Sequence, residues 1–335
     1  MNVDGMILAG ALRRPETTAA YDADAWNALV SIARAEQLLG TVARRLSGIA
    51  VPPEIAGILN EARIKAEYQR RAALWEADCA RRALANIKGK VVLLKGTAYA
   101  AAGLKASEGR HIGDLDIMVA RDALPAAEKA LVAAGWEWVK PDPYDDAYYR
   151  DHMHELPPLI HKDRDRMIDV HHNILPLTAK PKPDAAFMMM QAVPLANGLS
   201  IFARVDMVIH SAAHLFADGE LDGGLRNLWD IHCLLDEFAD DDFWSELHAR
   251  AVHHGLWVAA HRAARLAHRV YGTEIPSGWR RQHWQDGHYI KRFTARDAWG
   301  RGTRPFLRLL FYVRAHWLRM PPLMLARHLW IKWRR

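Results

Sequence analysis

Asp114 and Asp116 are the residues whose type and spacing bear most directly on chemistry. They sit in the run Arg110-His111-Ile112-Gly113-Asp114-Leu115-Asp116-Ile117-Met118-Val119, whose apolar members favour a β-strand. Alternation along a strand sends both carboxylates to one face and Leu115 and Ile117 to the other. Two anions on one face repel. A divalent cation would neutralise them, Mg²⁺ above all, because it takes hard oxygen ligands. The competing reading is a solvated strand end carrying two acids. A third acid comes from residues 166–172, a second strand pattern with Met167, Asp169 and His171 on one face and Ile168 and Val170 on the other. If the two strands are neighbours, Asp169 joins the pair, and three acids around one cleft are what a two-metal phosphoryl-transfer site needs.

The elements that must position these acids are legible on both sides. Upstream, residues 90–95 read as a buried strand, and Gly96-Thr97 opens an Ala-rich helical segment over 98–104. A helix start after a strand can hold a phosphate on its free N–H groups, or Thr97 can simply cap the helix. The spacing is not that of a Walker A loop. Downstream, Asp122 is placed to cap a helix carrying Leu124, Ala127, Ala130 and Leu131, Gly135 closes it, and 136–139 resumes as strand. Residues 90–139 therefore run β-α-β-α-β. Two further strands, 156–161 and 166–172, are joined by the polar turn Lys162-Asp163-Arg164-Asp165.

With these motifs assembled, the chain resembles the uncharacterised nucleotidyltransferases of the polymerase-beta-like superfamily. The resemblance rests on Leu94-Lys95-Gly96, on Arg110 with Gly113-Asp114-Leu115-Asp116, and on His-Glu-Leu-Pro-Pro-Leu at 154–159. It rests further on Ile168-Asp169-Val170-His171 and on the helical run 210–235 with Leu225-Arg226-Asn227-Leu228-Trp229-Asp230, so that it covers roughly residues 20–240. Two departures are visible. Better known members carry Gly-Ser about ten residues before the carboxylates, whereas Thr97 lies seventeen before Asp114, and His111 stands where Pro is expected.

The resemblance implies an α/β (α+β) fold, a small mixed β-sheet domain flanked by N-terminal and C-terminal helical segments. It implies an NTP substrate, with Asp114, Asp116 and Asp169 as catalytic metal ligands for Mg²⁺ and room for two ions. Asp169 would bind the second metal or accept a proton. Lys95, Gly96, Thr97, Arg110 and Gly113 would bind the nucleotide, with Lys95 or Arg110 offsetting developing charge. The hydroxyl acceptor, whether RNA, protein or small molecule, is open. The alternative is a non-catalytic module of the same fold that docks through a basic C-terminus.

Composition bounds the rest. At 335 residues, half apolar and a quarter charged, the chain is of ordinary globular type. The expected division is 1–88 helical, 89–178 the catalytic sheet domain, 179–300 helical and 301–335 a basic amphipathic segment. Residues 21–46 read as an amphipathic helix capped by Asp24, 54–87 as a long helix, 176–183 as a linker, and the stretch from there to about 279 as helical. The first fourteen residues do not read as a secretory signal, and no run reaches the length of a membrane span. Two cysteines, Cys79 and Cys233, give no disulfide framework, so a cytoplasmic location is expected, with attachment to the inner face of the membrane as an option.

His210 and His214 have a zinc-compatible spacing, but Ser211 stands where the zincin motif needs Glu, and they are read as packing histidines. Arg226 and Asp230 most simply pair along a helix face, or Arg226 projects to the nucleotide. His171 either positions a hydroxyl or bonds Asp169. Residues 301–335 hold nine Arg or Lys and no acid, so the remaining 300 residues carry −3 of the whole-chain charge of +6. Aromatic and aliphatic residues interleave with these cations, which suits a packed terminal helix, an anionic membrane surface or RNA.

Overall fold

A computed structural model describes residues 4–139, 143–217, 221, 223–319 and 330. The N-terminal region is helical, as its periodicity predicts. After α1 (Met6–Arg13), α2 (Ala23–Ala35) buries Trp26, Leu29, Val30, Ile32 and Ala33 on one face, and α3 (Leu39–Arg45) and the 31-residue α4 (Pro53–Ala83) follow. The cap of α2 is Asp22, whose side chain accepts from the Ala25 N–H at 2.8 Å, not Asp24, which lies in the first turn. The single helix expected over 21–46 is broken where Gln37 takes a φ of +57°, a left-handed conformation that stops an α-helix.

Next come β1 (Val92–Leu93), α5 (Lys95–Ala101), β2 (Leu115–Met118), α6 (Leu124–Ala133) and β3 (Trp136–Trp138), the expected β-α-β-α-β order. Asp122 lies in a 3₁₀ turn before α6 and does not cap it. After α7 (Pro143–His152), β4 (Leu159–His161) and β5 (Met167–His171) form the expected antiparallel hairpin. The stretch read as helical beyond the linker departs from expectation. It contains α8 (Ala185–Gln191) but then β6 (Val193–Pro194) and β7 (Ser200–Ile201), and β7 adds parallel to β1. The described strands lie in the order β3-β4-β5-β2-β1-β7-β6, a mixed sheet that continues past residue 178.

In this sheet β2 is central and buried throughout, antiparallel to β1 and parallel to β5. The helices α9 (Arg204–Ala217), α10 (Gly224–Phe238), α11 (Phe243–His253), α12 (Trp257–Tyr271) and α13 (Asp286–Phe293) pack beyond it. Leu225, Leu228, Ile231, Leu234 and Leu235 of α10 are fully buried in the core shared with β2. The last described helix, α14 (Pro305–Arg319), buries Phe311 and Ala315 but leaves Phe306, Leu309, Leu310, Val313 and Trp317 exposed. The break expected at Pro321-Pro322 lies outside the described residues. Cys79 and Cys233 are both free. Among the described residues, no helix is long and apolar enough to cross a membrane.

Candidate functional site

Parallel pairing of β2 with β5 sets Asp116 directly opposite Asp169. Asp114, one residue before β2, stays exposed at the mouth, and one carboxylate oxygen from each of the three acids lies within 4.8 Å of the others. A divalent cation fits this donor set, since all three ligands are hard oxygens. The electrostatics favour a cation as well. Burial, reinforced by the charges of Asp116 and Glu155, pushes the Asp169 carboxyl up to about 7.

Asp116 is already partnered. Its Oδ1 accepts from Lys95 Nζ at 2.7 Å and lies 3.0 Å from His171 Nε2. Burial disfavours its charge, but Lys95 and His171 outweigh that and hold the carboxyl well below the usual range. Lys95 in turn remains an ammonium despite burial, because Asp116, Asp114 and Glu155 surround it. Its backbone has φ +48°, a strained choice for lysine that aims the side chain from the start of α5 into the cleft. The neighbouring imidazoles of His210 and His214 are kept neutral, His210 at about 3 through burial and then Lys95, His214 through Lys95 and then burial. His210 packs edge-on against Phe202, with ring centroids 5.7 Å apart. Neither belongs to a metal-compatible cluster among the described residues.

A cavity of about 480 Å³ opens in front of Asp114 and Asp116 and is walled by Lys95, Gly96, Arg110, Gly113 and Arg226. Gly96 is dictated by its neighbour, since a Cβ there would come 2.2 Å from Arg110 Nη1. Thr97 departs from the capping reading. It is the third residue of α5, not its cap, and it is buried with its hydroxyl unpartnered. Gly113 lines the cavity with ordinary backbone and room for a side chain, the nearest atom to an added Cβ being His111 Nε2 at 3.5 Å.

The ion pair expected between Arg226 and Asp230 is not formed. Asp230 instead takes Arg110, whose Nε lies 3.1 and 3.0 Å from the two carboxylate oxygens and whose Nη2 lies 2.9 Å from Oδ2. Arg226 points into the cavity, donates to Gln37 Oε1 and to Asn227 Oδ1, and makes no salt bridge among the described residues. Gln37 reaches the site from the break between α2 and α3, a contribution that nothing local in the sequence marks.

Behind Asp116 lies a second cavity, about 370 Å³, bordered by Lys95, His154, Glu155, Asp169, His171 and His214. Glu155 belongs to the His-Glu-Leu-Pro-Pro-Leu motif, which by itself assigns it no role. Its Oε2 stands 3.2 Å from His171 Nδ1. His171 thus bonds Asp116 and faces Glu155, rather than bonding Asp169 as one reading of the strand face suggested. Among known proteins, a family model described as an uncharacterised nucleotidyltransferase matches residues 22–272. No curated protein matches the chain.

Proposed function

The chain belongs to the uncharacterised nucleotidyltransferase family, and from that premise we propose that it transfers a nucleoside monophosphate from an NTP to a hydroxyl acceptor, releasing pyrophosphate. The observation that carries this is the convergence of Asp114, Asp116 and Asp169 at the edge of a cavity walled by cationic side chains. Asp114, Asp116 and Asp169 would hold Mg²⁺, which when bound offsets triphosphate charge and acidifies the attacking hydroxyl. Asp169 would bind the second metal or, where it leaves the ion free, accept that hydroxyl's proton. Arg226 is the cavity cation best placed to meet the triphosphate, because Lys95 and Arg110 are each engaged by a carboxylate. Gly96 and Gly113 let the backbone approach the phosphates. ATP is the first nucleotide to test, and a cytoplasmic setting supplies it.

The exposed face of α14 supports a membrane partner. Phe306, Leu309, Leu310, Val313 and Trp317 project from a segment of net charge +9 without acids, a composition that suits an anionic lipid surface. RNA is the competing ligand for the same charge.

The test is incubation with each α-labelled NTP, Mg²⁺ and fractionated lysate, followed by identification of what becomes labelled. Label transfer that is lost in Asp114→Asn is the expected outcome. Absence of both transfer and NTP-dependent thermal stabilisation would favour the non-catalytic module instead.

A further inference from the structure

The geometry points to a second metal site, distinct from the three aspartates, in which His154, Glu155 and His171 bind a first-row divalent transition ion of the zinc class. One ligand atom from each of these residues lies within 4.8 Å of the others. The backbone fixes them there. Glu155 and His171 face each other across an antiparallel bridge, Leu156 N donates to Val170 O at 2.9 Å, and His172 N donates to His154 O at 2.8 Å. The three side chains are therefore positioned by main-chain pairing at the end of β5.

One unpartnered imidazole nitrogen aims into this cluster. His171 Nδ1 is buried without a hydrogen-bond partner, His171 is 2 % exposed, and His154 turns its Nε2 toward Glu155 Oε2 at 3.8 Å. Because His171 Nε2 bonds Asp116 Oδ1, a neutral ring carries its proton on Nε2 and presents the Nδ1 lone pair toward the Glu155 carboxylate. The 3.2 Å approach lacks hydrogen-bond geometry, so a lone pair faces an anion with nothing between them. A cation at that point gives the orphaned His171 Nδ1 a partner and neutralises the Glu155 carboxylate. The arrangement is also that of a metal-bound histidine whose other nitrogen donates to a carboxylate, which fixes the tautomer and the ring orientation.

Donor type separates the two sites. Two imidazole nitrogens and one carboxylate suit zinc and its first-row neighbours, whereas the all-oxygen trio suits Mg²⁺. Water from the adjacent cavity would complete the coordination. Asp116 accepts from His171 on one side and faces the other acids on the other, so an ion at the histidine site would set the orientation of a ligand of the first. The inference does not depend on nucleotide transfer.

The test is titration of the chelator-stripped full chain with Co²⁺, read by ligand-field absorption, and with Zn²⁺, read by calorimetry. The expected result is one tight equivalent, weakened about tenfold to a hundredfold or more in Glu155→Gln and in His154→Ala, and unchanged in Asp114→Asn. Glu155→Gln is nearly isosteric and decides the matter even if His154→Ala folds poorly. Absence of binding, binding indifferent to Glu155→Gln, or binding lost in Asp114→Asn would overturn the assignment.

Discussion

Asp230 of α10 grips Arg110 through both carboxylate oxygens, joining the helical region beyond the sheet to the loop that leads into β2. The pair is buried, stacks its guanidinium near Tyr99 at 5.7 Å, and forces glycine at position 96. Breaking a buried pair by removing one partner strands the other charge, at a cost of about 3–5 kcal/mol. Asp230→Asn is therefore expected to lower stability by an amount of this order in denaturant melts. Gly96→Ala should displace the same guanidinium and raise KM for the NTP.

Asp114→Asn and Asp116→Asn should each reduce transfer by about a hundredfold or more, the scale on which removal of a key electrostatic group acts. Their stabilities should separate. Asp114 is exposed and its variant should melt like the parent, but Asp116→Asn weakens the buried partners of Lys95 and His171 and should melt lower. The sequence alone suggests that both changes spare the fold. Thermal melts of the two variants side by side check the distinction.

Asp169 gives a pH dependence with a definite sign. Its folded-state affinity for a proton, near 7, exceeds that of an unfolded aspartate near 4, so between those values the folded protein holds a proton that the unfolded chain has lost. Metal-free stability should thus fall as pH rises from about 4 to about 7. Asp169→Asn should remove this slope and be the more stable protein above pH 7. Mg²⁺ affinity should rise over the same interval, by up to about tenfold per unit, because the ion competes with the proton. Melts with and without Mg²⁺ across the range read both effects.

Arg226→Ala should raise KM for the NTP by about tenfold, the loss of one or two charge-assisted hydrogen bonds, while leaving the fold intact. Gln37→Ala, which only frees the guanidinium, should have a smaller effect. Steady-state kinetics over NTP concentration distinguish them.

Helix α14 should behave as two faces. Phe311 is 5 % exposed and packs with its ring 4.8 Å from that of Tyr289, so Phe311→Ala should cost about 3–5 kcal/mol. Phe306 is 87 % exposed, and Phe306→Ser with Leu310→Ser should spare stability and abolish sedimentation with anionic vesicles. Retained sedimentation would count against a lipid-binding face.

The parts of the site that could be read from sequence are those set by local periodicity. Alternation over 114–118 and 167–171 is enough to place Asp116 and Asp169 on strand faces, and the charged turn between β4 and β5 announces the hairpin. What escapes has long-range causes. Strands of two residues such as β6 and β7 are too short to show a period, and Pro194 argues against a strand at all. Asp230 choosing Arg110, 120 residues away, over Arg226 one turn away is a matter of tertiary packing. Trp317 and Phe311 share a helix, yet only contact with Tyr289 tells which of them is buried.

The register that sets Asp116 level with Asp169 also decides where this chain can tolerate changes in length. One residue added to or taken from β5 would bring Ile168 or Val170 opposite Asp116 and turn an apolar side chain toward the cleft. Lys162 and Asp163, exposed at the tip of the hairpin, can absorb an extra residue without moving either carboxylate. Insertions are therefore affordable at that tip and ruinous three or four residues later, so a scan of single-codon insertions through 159–171 would trace the boundary of the site without altering any of its side chains.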